Sequence, residues 1–225
     1  KQMNSEYIVQ FVGQVTLNGK LRIVMEYMQR GTLYQILHQN VNSDGKKLQD
    51  GSGAQALDVR RRLKMMIDIA RGLDYLHSMA AKIIHRDLKS PNLLVSADWR
   101  VKLADFGCSR VLHGAQMSTT AVAGTYAWMA PEIMATHDST GATKAIDIYS
   151  YGAVLYEMFT GFIPWSREQG VRRSNDDYQF LFTRLTILKQ PLPVPQELAP
   201  TEVGVMMREC LMIDAKDRPS IEDIE

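Results

Sequence analysis

The segment Ile84–Val95 carries an aspartate and an asparagine at a spacing that suits phosphate chemistry. It reads I-H-R-D-L-K-S-P-N-L-L-V, so Asp87 stands five residues before Asn92, with Lys89 between them. A carboxylate on such a loop can accept a proton from an attacking hydroxyl, and an amide oxygen nearby can hold a metal ion beside a phosphate. Charged tripeptides are usually surface turns, but the complete pattern H-R-D-L-x-x-x-N is far more restrictive than its first three residues.

Two further motifs follow in a fixed order. An apolar run leads into Asp105-Phe106-Gly107, in which an acidic residue is followed closely by a glycine suited to a tight turn. Gly124-Thr125 then precedes Ala130-Pro131-Glu132. Three independent patterns in this order exclude an accidental match to the first one.

Together these motifs resemble those of eukaryotic-type protein kinases, from about Tyr7 to the last residue. The resemblance implies an α+β, protein kinase-like fold. Residues 1–28 would be the last strands and hinge of the N-lobe, and residues 29–225 would be the mainly helical C-lobe. The implied function is transfer of the γ-phosphate of ATP, with Mg²⁺, to Ser or Thr of protein substrates in signal transduction.

The resemblance also implies the catalytic roles. Asp87 would be the base that orients the acceptor hydroxyl, and Lys89 would contact the γ-phosphate during transfer. Asn92 and Asp105 would hold the Mg²⁺ ions that bridge the phosphates.

The same resemblance implies a nucleotide site on the segment that ends the first two strands. Met25 would be the gatekeeper at the back of the adenine pocket. Glu26 and Met28 would belong to the hinge, whose backbone groups bind adenine, and Leu94 would pack under the adenine ring.

The substrate class follows from a mixture of features. Lys89 two residues after Asp87 resembles Ser/Thr kinases, whereas Trp128-Met129 before Ala130 is a tyrosine-kinase-like trait. This combination resembles the tyrosine kinase-like group of Ser/Thr kinases, such as the Raf and mixed-lineage families. Thr125 would then contact Asp87 and Lys89 and help to seat the substrate.

A regulatory switch is predicted on the long segment between the second and third motifs. Kinases with an arginine at the position of Arg86 commonly use it to bind a phosphate on this segment. Thr119 and Thr120 lie where that phosphate usually falls, so an upstream activating kinase is an expected partner. The alternative is that these hydroxyls belong to an ordinary polar loop.

The elements that position these motifs begin with a hairpin. Tyr7–Val15 and Leu21–Met28 are predicted strands joined at Asn18-Gly19, a strong two-residue turn signal. A short helix is expected from Gly31 to about His38, followed by a polar insertion over residues 40–55.

The first long helix is predicted over Leu57–His77, with Asp58 as its N-cap. Its apolar face is expected to consist of Leu63, Met66, Ile67, Ala70, Leu73 and Leu76. A strand at Lys82–His85 should lead into the Asp87 loop. A second hairpin, Leu93–Val95 with Val101–Ala104, should lead into Asp105.

The remaining chain is predicted to be helical. Asp147–Thr160 is apolar nearly all round and ends at Gly161, which is typical of a helix in the middle of a fold. Amphipathic helices are expected at Phe180–Leu188 and Glu202–Ile213, the second capped by Thr201. Another helix is expected after Pro219, where Ser220 and Asp223 have the spacing of a capping box.

Composition bounds the remaining possibilities. The chain has 225 residues, 45% of them hydrophobic and 23% charged, which suits one globular domain. A net charge of +1 gives no case for nucleic-acid or membrane binding, and no run is long and apolar enough for a membrane span. The two cysteines, far apart, suit a reducing, cytoplasmic setting.

Several kinase motifs are absent from this sequence. It contains no G-x-G-x-x-G and no V-A-I-K match, so a Gly-rich loop and an ATP-binding lysine are expected upstream of residue 1. These residues alone are therefore expected to bind ATP poorly and to be inactive. The alternatives are a non-catalytic pseudokinase or scaffold, a dual-specificity or tyrosine kinase, and a small-molecule phosphotransferase of similar fold.

Overall fold

The structure of this chain is a computed structural model. It describes residues 4–39, 57–80, 82–105, 126–136, 143–166 and 176–224. The chain forms two compact units, one of residues 1–75 and 90–105, the other of residues 76–89 and 106–225. Short strands and many helices confirm the α+β class.

The first unit begins with the predicted hairpin. Strand β1, Phe11–Leu17, pairs antiparallel with β2, Lys20–Met25. Asn18 and Gly19 have φ of 52° and 71°, as the two central residues of a type I′ turn require. Every residue of the two strands except Gly13 is exposed.

A three-stranded sheet lies in the same unit. It has the order β3–β4–β5, with β3 at Gly31–Thr32, β4 at Leu93–Val95 and β5 at Val101–Leu103. The predicted hairpin of β4 and β5 is confirmed.

Two predictions near these strands are wrong. The residues before Phe11 do not extend β1, because Ile8 bridges Leu103 in parallel and the Val9 N–H donates to the Leu103 carbonyl at 2.9 Å. Gly31 does not open a helix, because Gly31 and Thr32 pair with β4 instead. The predicted short helix is otherwise present: helical turns begin at Leu33 and continue over Gln35–Gln39.

Helix α1 spans Val59–Ser78, close to its predicted bounds. Asp58 caps it, since its carboxylate accepts the Arg61 N–H at 2.7 Å. The predicted apolar face is partly wrong: Ile67 is 42% exposed, while Met65 and Ile69 are fully buried.

Asp68 explains this rotation of the helix. It is buried, and its carboxylate accepts the Val101 N–H at 3.0 Å and the Arg100 Nε–H at 2.9 Å. Since Asp68 faces the start of β5, its neighbours Met65 and Ile69 turn inward and Ile67 turns outward. Gly72 lies against the Leu103 side chain, where a β-carbon would collide.

The second unit is organised around α3, Ala145–Thr160. All residues from Ile146 to Met158 are buried, as the sequence predicted for a central helix. Gly161 ends it with φ of 73°, and its N–H donates to the Glu157 carbonyl at 2.9 Å.

Shorter helices pack in this unit as α2 (Pro131–Thr136), α4 (Asp176–Phe182), α5 (Glu202–Cys210) and α6 (Ile221–Ile224). The helical turns continue after α4 over Thr183–Ile187. Both predicted caps are confirmed. Thr201 Oγ accepts the Gly204 N–H at 3.1 Å, and the Ser220 N–H donates to the Asp223 carboxylate at 3.1 Å.

The strand predicted at Lys82–His85 is absent, and only Ile84 makes a strand-like bridge there. Among the helices that the structure describes, none is long and apolar enough to cross a membrane.

Candidate active site

Asp147 fixes the backbone that leads to Asp87 within the second unit. Asp147 is fully buried on α3, and its carboxylate accepts the backbone N–H of His85 at 2.8 Å and that of Arg86 at 2.9 Å. The Nε2 of buried His77 lies 2.8 Å from the same carboxylate. Because the carboxylate only accepts, Nε2 is the nitrogen that donates. Three polar groups thus hold one buried side chain in place.

This support matters because the backbone at Arg86 is strained. Arg86 has φ of 69°, in the left-handed region that residues with a side chain rarely adopt. Two consecutive N–H groups bound to one carboxylate offset that cost. Asp87 is the next residue, so its position is set by the same contact.

Asp87 and Lys89 lie side by side in the second unit. Lys89 Nζ lies 2.7 Å from an Asp87 carboxylate oxygen, and the two side chains are 16% and 20% exposed. A carboxylate and an ammonium group are therefore held side by side and still reach solvent.

Asn92 and Asp105 lie close together along the backbone of the first unit. Asn92 is buried and ends a single 3₁₀ turn, Ser90–Asn92, and its carbonyl accepts the Ala104 N–H at 2.9 Å. Asp105 follows Ala104 and has φ of 60°. The structure thus places an amide and a carboxylate at one end of the β4–β5 hairpin.

Glu26, which was predicted to belong to the hinge, is fixed to the same hairpin. Its carboxylate oxygens lie 2.8 Å and 2.9 Å from Lys102 Nζ on β5, and one of them accepts the Gln10 N–H at 2.7 Å. Partial burial would raise the pKa of Glu26, but the bonds from Lys102 and Gln10 outweigh it and lower that pKa.

Residues 29 and 30, at the other end of the segment that begins at Glu26, bind the β4–β5 turn. The Gln29 side chain accepts the Ala97 N–H at 3.1 Å, and the Arg30 Nε–H donates to the Ala97 carbonyl at 3.0 Å. The Arg30 guanidinium also lies 4.0 Å from the centre of the Trp99 ring. Residues 26–30 are therefore fastened to one hairpin at both ends.

The other residues predicted for the nucleotide site differ in exposure. Met28 is buried and Leu94 is half-buried on β4, whereas Met25 is 46% exposed at the end of β2. The predicted regulatory and substrate residues Thr119, Thr120 and Thr125 lie outside the described residues, as do Phe106 and the insertion at 40–55.

Two anchors hold the Ala130-Pro131-Glu132 segment. Upstream, the Trp128 indole N–H donates to buried Glu157 at 2.9 Å, and the Trp128 carbonyl accepts the Ser150 hydroxyl at 2.8 Å. Downstream, both carboxylate oxygens of Glu132 bind the Arg218 guanidinium, at 2.7 Å and 2.8 Å.

Sequence reasoning missed His77, Lys102, Asp147 and Glu157 as supporting residues. For Asp147 and Glu157 a signal existed: each is an acidic residue inside a helix that is otherwise apolar on all sides. A buried acid needs partners, so each should have been predicted to bind polar groups.

Comparison with known proteins identifies the class. The family described as "Protein kinase domain" matches residues 1–225, so the chain belongs to the protein kinase family. Its plant relatives are named serine/threonine-protein kinases, which is consistent with the predicted Raf-like, tyrosine kinase-like group. Members of this family generally use ATP and Mg²⁺.

Three relatives illustrate the range of similarity. The Arabidopsis thaliana proteins Probable serine/threonine-protein kinase SIS8 and Serine/threonine-protein kinase CTR1 are 38% and 37% identical over 224 and 225 residues. Dual specificity protein kinase shkD of Dictyostelium discoideum is 33% identical over 217 residues. The matches cover 100%, 100% and 96% of this chain, but only 19%, 24% and 26% of the relatives.

Proposed function

We propose that this chain is the catalytic part of an ATP-dependent protein serine/threonine kinase. The observation that carries the proposal is the Asp87–Lys89 pair at 2.7 Å, at the end of a backbone that buried Asp147 fixes. Names of relatives support the same reaction class.

In the proposed reaction, Asp87 orients the hydroxyl of a substrate serine or threonine and accepts its proton. The hydroxyl oxygen forms a bond to the γ-phosphorus as the bond to the β-phosphate oxygen breaks, which releases ADP. Lys89 supplies positive charge beside the transferred phosphoryl group.

Asn92 and Asp105 would hold Mg²⁺. An amide oxygen and a carboxylate are hard ligands of the kind that Mg²⁺ prefers. When bound, Mg²⁺ would neutralise charge on the phosphates.

The nucleotide base would bind the hinge that begins at Glu26. In this proposal Met28 contributes its backbone, Leu94 packs under the ring, and Met25 borders the pocket. Residues 1–28 would be the end of an N-lobe and residues 29–225 a C-lobe. A cytoplasmic location, protein substrates and an upstream activating kinase are part of the same proposal.

Dual specificity is a second candidate. Dual specificity protein kinase shkD is a relative at 33% identity, and Trp128-Met129 is a tyrosine-kinase-like feature. Phosphoamino-acid analysis of the products separates the two candidates.

The test is turnover by the full-length protein with Mg·ATP and a general protein substrate. Asp87→Asn should lower turnover by about 10²-fold or more and leave nucleotide affinity nearly unchanged, because only the base is lost. Asp214→Asn is a matched control, since Asp214 is exposed and makes no capping hydrogen bond. Unchanged turnover in Asp87→Asn contradicts the catalytic assignment, and phosphotyrosine as the main product contradicts the Ser/Thr assignment.

A further inference from the structure

Gln10 and Glu26 form an irregular pair at the end of the first hairpin. They continue the register in which Phe11 opposes Met25. In an antiparallel ladder, a hydrogen-bonded pair exchanges two bonds, each N–H donating to the other residue's carbonyl. Here the Glu26 N–H donates to the Gln10 carbonyl at 3.0 Å, but the Gln10 N–H donates to the Glu26 side chain at 2.7 Å.

The carboxylate of Glu26 therefore takes the place of its own backbone carbonyl in the ladder. Among the described residues, no backbone group donates to that carbonyl oxygen, and the N–H of Met28 likewise has no backbone acceptor. The Glu26 carbonyl oxygen and the Met28 N–H, two residues apart, are thus without a backbone hydrogen bond along the predicted hinge.

Lys102 makes this exchange stable. Its Nζ lies within 2.9 Å of both carboxylate oxygens, so the Glu26 side chain is held toward Gln10 instead of extending into solvent. Two acceptors of Glu26 lie within reach of the Gln10 N–H, the side-chain carboxylate and the backbone carbonyl. The carboxylate is the stronger one, because hydrogen bonds to ionised groups are shorter and stronger than neutral ones.

We propose that Glu26 is a positioning residue for adenine: its carboxylate occupies the Gln10 N–H and thereby leaves the Glu26 carbonyl oxygen for the exocyclic amino group of ATP. The inference rests on the proposed function as an ATP-dependent kinase and deepens it. It makes a side chain that contacts no nucleotide a determinant of base selectivity.

The consequence is selectivity for a purine that carries an amino donor. A purine without this group leaves the carbonyl oxygen unpaired in a desolvated pocket, which costs affinity. When the carboxylate is removed, the Gln10 N–H can bond the Glu26 carbonyl in the ordinary ladder geometry. The amino group of ATP then competes with an internal donor, and selectivity should fall.

The test compares two nucleotides by calorimetry on the full-length protein. ATP carries the amino donor, and purine riboside triphosphate has hydrogen in its place. We expect wild-type protein to prefer ATP by about tenfold, as one hydrogen bond provides. In Glu26→Ala the ratio should approach one, whereas Glu26→Gln should largely keep it because the amide oxygen can still accept from Gln10.

Two further variants sharpen the test. Glu6→Ala is a control that removes an exposed glutamate of the same unit, and its ratio should stay at the wild-type value. Gln10→Pro removes the competing N–H, so the double variant Gln10→Pro/Glu26→Ala should recover the preference for ATP. If thermal melting shows that Glu26→Ala does not fold, Glu26→Val replaces it, since valine suits a strand and offers no acceptor.

The outcomes separate this inference from the function on which it rests. A wild-type protein that binds neither nucleotide contradicts the kinase proposal and this inference with it. A wild-type protein that prefers ATP, with Glu26→Ala weakening both nucleotides equally and keeping their ratio, leaves the kinase proposal intact and overturns the inference.

Discussion

Arg218 and Glu132, 86 positions apart, form a two-point ion pair in the second unit. Two guanidinium nitrogens lie 2.7 Å and 2.8 Å from the two carboxylate oxygens, a geometry that only arginine provides. Arg218 also donates to the carbonyls of Ala145, Met212 and Ile213. Through these contacts Arg218 fixes the start of α2 to the start of α3 and to the residues that directly follow α5.

Arg218→Ala should lower the free energy of unfolding by about 3 kcal/mol, the lower end of the cost of breaking a buried pair. The lower end applies because the Arg218 side chain is fully buried whereas Glu132 is 32% exposed and can be rehydrated. Arg208→Ala is the matched control, since that exposed arginine makes one bond to a carbonyl and should cost under about 1 kcal/mol. Equal melting temperatures for the two variants would contradict the buried-pair interpretation.

Asp147→Asn should impair catalysis through the backbone of the Asp87 loop. An amide offers one acceptor oxygen where three donors now meet a carboxylate, so at least one buried N–H loses its partner. Each such loss costs about 1–3 kcal/mol, and we expect turnover to fall at least about tenfold while the Kd for nucleotide is retained. A fall in stability with unchanged turnover of the folded protein would show that Asp147 is only structural.

The features predicted correctly from sequence are those that local chemistry decides. Asn18-Gly19 forms the expected turn, and Asp58, Thr201 and Gly161 end or begin helices as their residue types require. The contact between Asp87 and Lys89 is likewise local, since only one residue separates them in the sequence.

The errors occur where a distant partner decides. Gly31 and Thr32 extend because β4 offers them a partner, and Ile67 is exposed because Asp68 turns inward to bind Arg100 and Val101. The roles of Lys102 and Glu157 depend on Glu26 and Trp128, which are 76 and 29 positions away. No periodicity in the sequence encodes such pairs.

Cys210 should be unreactive in the native protein. Burial raises the pKa of its thiol to about 12, and only the thiolate is nucleophilic. In a Cys108→Ser background, alkylation at pH 8 should proceed only after unfolding in urea. In the native protein, the rate of Cys210 alkylation should rise with pH up to about pH 12. Rapid alkylation of native protein at pH 8 would show that Cys210 is accessible.

Phosphorylation of Thr119 or Thr120 is predicted to activate the full-length protein. A phosphate adds about −1.5 to −2 charges and three acceptor oxygens, which suit a two-point contact with a guanidinium such as that of Arg86. Changing both threonines to Ala should lower turnover. Phosphatase treatment should lower the turnover of the wild type and leave that of the double variant unchanged. Full activity of the double variant and no effect of phosphatase would exclude the switch.

Trp128→Phe should destabilise the second unit more than the loss of indole volume explains. The indole N–H is bonded to the carboxylate of Glu157, and both side chains are buried, so phenylalanine leaves a buried acid with one donor fewer. Leaving a buried acceptor without its donor costs about 1–3 kcal/mol. Trp99→Phe is the control, because Trp99 is only partly buried and stacks beneath Arg30 and Arg61.

A double-mutant cycle of Trp128→Phe with Glu157→Leu isolates the contact between the two side chains. A coupling free energy of about 1 kcal/mol or more is expected for residues that share a hydrogen bond. Additive effects would mean that Trp128 is held by packing alone.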